Sequence, residues 1–230
     1  MGVYAYCVVP AGHRPPAGLA GLAGGSVRAL AMGELAVWVS DVTSRPSLEL
    51  EAVAQHHEVV RSAAAVGTVA PLRFGAWAAE EGALRERIDA SREGLEQTLR
   101  TLDGAVELGV RVIERCGEAS GGRVDPPSDG AGTGRDYLRR LSVDRARRKA
   151  RRARQDELAG RVRGRLASVL CDQRVQYLEA PELVSLAHLV RRADEGEYRR
   201  RVAAFAREET HHVEIHVSGP WPPYSFATAT

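Results

Sequence analysis

The chain has 230 residues, 44% hydrophobic and 27% charged, with a formal net charge of +2. This composition is ordinary for a folded protein, with enough apolar residues for one large domain or two small ones. Three scattered cysteines, Cys7, Cys116 and Cys171, argue against a disulfide framework, and no apolar run approaches the roughly 18 residues of a membrane helix.

The opening MGVYAYCVVP lacks a basic n-region and a long apolar core, so a cytoplasmic protein without a signal peptide is expected. Val3 to Val9 alternate and are rich in β-formers, which predicts a strand. The Pro/Gly-rich loop that follows has neither a GxGxxG pattern nor a Gly-Lys-Ser/Thr end, so it is not read as a phosphate cradle. Two further alternating runs flank Gly33-Glu34 and predict a hairpin, with Gly at the first turn position. Ser47 is the candidate cap of a helix whose buried face is expected at Leu50, Val53, Ala54, His57, Val60 and Ala64. The extended segment TVAPLRFGAW comes next. A second helix is expected from Glu80, with Leu84, Ile88, Leu95, Leu99 and Leu102 as its stripe, ending at Asp103-Gly104.

The second half reads strand (Ala105–Ile113), Gly/Pro/Ser-rich excursion, long helix (Asp136–Leu170), two strands (Val175–Leu178 and Leu183–Val190), short helix and last strand (Val213–Val217). Asp194 and Glu197 form a candidate capping box for the short helix, whose buried side is Tyr198, Val202 and Phe205. The order β-α-β-β-α-β is that of a ferredoxin-like unit. The expected class is therefore α+β with two domains. Residues 1–103 form the first. Residues 104–230 form the second, a modified ferredoxin-like unit with a mobile insertion at 117–134, a long Arg-rich helix and an extended aromatic tail at 218–230.

Nine basic residues and one acid lie between Arg139 and Arg154. Val143, Ala146, Ala150 and Ala153 run through this charge as a stripe that avoids Arg147, Arg148, Arg151 and Arg152. These four arginines are expected to form an exposed basic face that binds a partner. A nucleic-acid or anion-binding module using helix 139–154 is the alternative function. It is disfavoured because the strands AVELGVRVIE and ELVSLAHLV lack the base-stacking aromatics of ferredoxin-like RNA-binding domains. His211, His212 and His216 cluster around Glu214 with a spacing that resembles HxxxH, but the setting is β and Glu214 is two places on from His212 rather than directly after it, so no metal site is assigned. No nucleophile elbow, catalytic cysteine motif or paired-carboxylate motif is present, so no catalytic residue or cofactor is assigned either.

The segment SGPWPPYSF, Ser218 to Phe226, is the least ordinary stretch. Prolines push the residues before them toward extended backbone, so a stiff arm carrying Trp221, Tyr224 and Phe226 is expected. SGPWPPYSF resembles the terminal signature of the gas vesicle protein family GvpF/GvpL. VYAYCVV, LAVWVSDV, AVAQHHEVV, VAPLRFGAW and GRDYL occur in the family's order, so the resemblance covers essentially the whole chain. It implies two α+β domains and a non-enzymatic accessory or minor structural role in gas vesicle assembly. The implied partners are the small hydrophobic shell protein GvpA and other accessory proteins, and the implied location is the cytoplasm and the vesicle. The sheet face left open in the ferredoxin-like unit, or the groove between the two halves, is the expected contact surface. Pro71, Leu72, Arg73, Phe74 and Gly75 are expected to receive the tail residues Trp221, Pro222, Pro223, Tyr224 and Phe226, with Trp221 buried.

Overall fold

In the computed structural model, which describes residues 1–114, 134–178, 182–209 and 213–227, the opening alternation is strand β1 (Gly2–Pro10), buried along almost its whole length. Its neighbour β3 (Leu35–Val42) pairs antiparallel, with Gly2 opposite Val42 and Pro10 opposite Leu35. Strand β2 (Arg28–Met32) completes the hairpin with β3. Met32 opposite Leu35 leaves a two-residue turn in which Gly33 takes φ +72°, a conformation that costs glycine little. Two short strands, β4 (Ala70–Pro71) and β5 (Trp77–Ala78), pair with the other side of β1.

Period-two alternation sorts β1 into two cores. Val3, Ala5 and Val8 join one apolar cluster with helices α2 (Glu81–Ala90) and α3 (Arg92–Leu102). Tyr4, Tyr6 and Cys7 join another with helix α1 (Leu50–Val66). A register shift between Ala5 and Cys7 puts two consecutive residues, Tyr6 and Cys7, in the α1 cluster. Helices thus cover both faces of this sheet, which explains a strand buried on both sides.

The helices depart from expectation in detail. Leu84, Ile88, Leu95, Leu99 and Leu102 are all buried, but a turn at Ser91 divides the expected single helix in two. Arg92 anchors that turn by donating to the Met32 carbonyl at 2.7 Å. The buried face of α1 is His56, Val59, Val60 and Ala63, while Leu50 is 88% exposed. Ser47 makes no cap, because its hydroxyl is bonded to the Glu49 carboxylate and the helix begins after Glu49.

The rest of the chain runs β6 (Ala105–Glu114), α4 (Gly134–Leu166), β7 (Asp172–Tyr177), β8 (Glu182–Arg191), α5 (Glu195–Glu208) and β9 (Val213–Trp221). The strands form a four-stranded sheet in the order β7-β8-β6-β9. Residues 117–133 of the expected insertion, and His211 and His212 of the histidine cluster, lie outside the described residues.

By packing, the chain divides into two compact units. One gathers Met1–Leu108, Leu189–Ala193 and Ser218–Thr230; the other gathers Gly109–His188 and Asp194–Val217. The tail, expected with the C-terminal half, is thus gathered with the N-terminal one. In the second unit Val110 and Ile215 meet Val162 and Leu166 of α4 and Val202 and Phe205 of α5 around one apolar gap, so both helices lie on the same sheet face. The buried His188 lies between the Tyr198 hydroxyl, 2.6 Å from Nδ1, and Gln173 Oε1, 3.0 Å from Nε2. The capping box does not form. Asp194 makes no side-chain cap, and the Glu197 carboxylate is taken by Arg200 and Arg201.

Candidate functional site

Within the first unit, the two segments singled out in the sequence converge on one turn of α1. The PLRFG segment leaves β4 with Pro71 and Leu72 buried, turns at Phe74-Gly75 and returns as β5, leaving Arg73 exposed. Gly75 holds φ +95° in this turn, a backbone region glycine enters freely. His56 holds the turn from below. Its Nε2 lies 3.1 Å from the Leu72 carbonyl and its Nδ1 2.9 Å from the Tyr4 hydroxyl. That hydroxyl accepts the Gly75 N–H at 3.0 Å, so its own proton goes to Nδ1. The Nε2–H then donates to Leu72, which assigns the neutral Nε2 tautomer. Burial lowers the His56 pKa to about 4; the Leu72 bond opposes this and the neighbouring His57 reinforces it.

The tail closes over the same turn. β9 extends to Trp221, so the stretch expected as a polyproline-like arm is strand, followed by a tight turn in which Phe226 N–H donates to the Pro223 carbonyl at 3.1 Å. Pro222 and Pro223 are buried. The Tyr224 ring stacks on His57 at 5.9 Å and lies 6.3 Å from His56, whose ring also neighbours Phe74 at 5.8 Å, Tyr4 at 5.7 Å and Tyr6 at 5.6 Å. Phe226 packs against the cluster under α2 and α3. Ser225 donates from both N–H (2.8 Å) and hydroxyl (2.7 Å) to the Glu107 carboxylate. Burial raises the pKa of Glu107, and these two bonds offset the rise only in part. The Tyr224 hydroxyl is buried without a partner among the described residues.

Trp221 is the correction. It was expected to be buried and is instead 43% exposed, with its ring edge-on to His57 at 5.7 Å. The indole N–H donates to Ser218 Oγ at 3.2 Å, which suits a position where its polar edge stays wet. With Ala64, Ala65 and Pro220 it forms the apolar wall of an open groove of about 400 Å³, whose polar lining includes Arg61, Asp103 and Arg192.

In the second unit the expected basic face divides. Arg147 and Arg148 are exposed and without an ion-pair partner among the described residues. Arg151 is half-buried and donates to the Leu178 carbonyl at 2.8 Å. Arg152 lays its guanidinium over the Tyr177 ring, 3.0 Å from the centroid, and pairs with Asp156 at 3.6 Å. Through these contacts with Tyr177 and Leu178 the last two arginines tie the helix to its own unit. The open sheet face presents Arg111, Arg174, Gln176, Glu214 and His216 as its exposed side chains. It is polar, and Glu214 and His216 pair at 2.9 Å.

A family model described as Gas vesicle synthesis protein GvpL/GvpF matches residues 2–228. The chain belongs to this family. Gas vesicle protein F of Streptomyces sp. (strain CB03234) is 29% identical over 213 residues, covering 87% of each chain. Gas vesicle protein L of the same strain is 28% identical over 186 residues, covering 77% of this chain and 69% of the relative. The crystal structure of GvpF from Anabaena sp. PCC7120 matches with a TM-score of 0.78 at 16% identity, covering 100% of this chain and 97% of that one. GvpF from Microcystis aeruginosa matches with a TM-score of 0.75 at 16% identity, covering 99% of both.

Membership in the GvpL/GvpF family gives the chain a role in gas vesicle assembly, and the solved GvpF structures share its fold of mixed helix and sheet. Among the described residues of this GvpL/GvpF chain, no helix is long and apolar enough to cross a membrane. Sequence reasoning missed His56 and Glu107. His56 falls in line with the buried Val59, Val60 and Ala63 of α1, a misfit that was the available signal, whereas Glu107 sits on the alternate side of β6 from Val106 and Leu108, where a carboxylate gives none.

Proposed function

We propose that the chain is a non-enzymatic accessory or minor structural protein of gas vesicle assembly that engages the shell protein GvpA early, through the groove walled by Trp221. The observation that carries the role is the family match from residue 2 to residue 228. The groove is favoured for the contact because it combines an apolar wall with a charged rim, the usual anatomy of a protein interface. A half-exposed tryptophan is also a common energetic anchor. The polar face of the second sheet fits an apolar partner less well. The strand order β7-β8-β6-β9 and the order β-α-β-β-α-β support reading the region from Gly104 as a modified ferredoxin-like unit.

A shell subunit with an apolar face aggregates before assembly unless something covers that face. Co-expression with GvpA tests the reading. The full chain is expected to retain GvpA through purification. Trp221→Ala is expected to lose it while lowering the unfolding free energy by only about 1–2 kcal/mol, since the ring is already half-exposed. Equal retention by Trp221→Ala would move the contact elsewhere, and no retention by the full chain would remove GvpA as the partner.

A further inference from the structure

Helix α4 carries two apolar stripes on opposite sides. Toward its C-terminal end Leu158, Ala159, Val162 and Leu166 are buried in the second unit. Toward its N-terminal end every described residue from Arg139 to Ala150 is exposed, so this part of the helix stands away from the body of its own unit. At about 100° per residue, Val143, Ala146, Ala150 and Ala153 fall on the side opposite the buried stripe. Val143 is 43% exposed, and the three alanines are exposed as well. Among the described residues of the second unit, none covers this stripe.

The spacing of the exposed stripe is three, four, three, the alternation of a coiled-coil seam. With Val143 and Ala150 at a positions and Ala146 and Ala153 at d positions, the flanking e and g positions hold Arg147, Lys149 and Arg154. Flanking charges set partner choice in such seams, and small seam residues allow a close helix approach. Arg147 and Lys149 have no ion-pair partner among the described residues.

We propose that the N-terminal half of α4 docks an acidic amphipathic helix of a partner protein, one with apolar residues at its seam and Glu or Asp beside it. This goes beyond the GvpA reading and does not depend on the Trp221 groove. Charge decides the sign of the partner. The seam decides its class, because a polyanion such as nucleic acid would need the arginines and would ignore Val143 and Ala150.

The test uses the full chain and a synthetic peptide with Leu at a and d and Glu at e and g. A scrambled peptide of the same composition and a DNA duplex serve as comparisons in fluorescence anisotropy. The heptad peptide is expected to bind roughly tenfold tighter than the scrambled one, and less tightly as salt rises. Val143→Gln with Ala150→Gln keeps the charge and is expected to lose that tenfold preference. Arg147→Gln with Lys149→Gln is expected to weaken binding of both peptides. The melting temperature should stay unchanged in both variants, since all four residues are exposed. Three results overturn the proposal. The two peptides could bind alike, or the duplex could bind as tightly as the heptad peptide and be indifferent to the Val143/Ala150 change. Light scattering could also reveal self-association that those substitutions abolish, which would make the occupant a second copy of the chain.

Discussion

Truncation after Val217 is expected to lower the unfolding free energy by roughly 3–5 kcal/mol, the scale of losing a large buried side chain with its surroundings. Three losses add up. Pro222 and Pro223 leave a buried seat, and loss of the Tyr224 ring uncovers His56 and His57 on α1. Tyr224 and Phe226 withdraw apolar surface from two different clusters. The half-buried Glu107 carboxylate loses both of its donors from Ser225, which leaves a desolvated acid unpaired. Point substitutions separate these terms. Tyr224→Ala should cost about 3 kcal/mol. Tyr224→Phe should be neutral or mildly stabilising, because the hydroxyl it removes is buried without a partner. Urea unfolding followed by circular dichroism reads all three. A truncated chain as stable as the parent would show that the tail does not hold the first unit together.

Acid is expected to destabilise the protein well above the range in which ordinary carboxylates titrate. His56 in the first unit and His188 in the second are both held near pKa 4 by burial, against 6.5 in an unfolded chain. Between those values the unfolded state binds the extra protons. Stability is therefore full above about pH 6.5, falls as pH drops toward 4, and levels off below. Each histidine contributes roughly 3 kcal/mol over that window. At His56 the geometry gives the cause. A protonated ring would turn Nδ1 into a donor facing the Tyr4 hydroxyl, whose proton would then have no acceptor while it still receives Gly75 N–H. Melting curves between pH 7.5 and pH 4.5 should show the loss. His56→Gln should start from lower stability and show a shallower decline. A melting temperature flat across that range would mean that neither histidine is buried neutral.

What could be read from the sequence followed from periodicity. The β1 alternation, the Gly33 turn and the leucine stripe from Leu84 to Leu102 each have one face that burial must choose, so pattern and packing agree. The α1 face slipped by one residue for a physical reason. Either stripe places one imidazole on the buried face, so local pattern does not choose between His56 and His57; the choice falls to His56 because Tyr4 and Leu72 satisfy both of its ring nitrogens. Those partners are sixteen or more residues away, beyond local pattern. Trp221 was misplaced similarly. Its aromatic area argued for burial, but burial went to the adjacent prolines and Tyr224. Which ring turns inward depends on where β9 ends, and composition does not state that. On α4 the seam through Val143 was legible and its exposure was not, because a helix can carry one stripe for its own fold and another on the far side. The convergence of PLRFG and the tail was expected from their shared distinctiveness alone; the His56–His57 turn that joins them was not.

The role in vesicle assembly is tested most directly in cells. The gene is deleted from a host that forms gas vesicles, and vesicles are counted by electron microscopy with and without a plasmid copy. The account predicts that vesicles fail to form without the chain. It also predicts that the full chain restores them, and that the form ending at Val217 does not. Undiminished vesicle formation in the deletion strain would contradict the account.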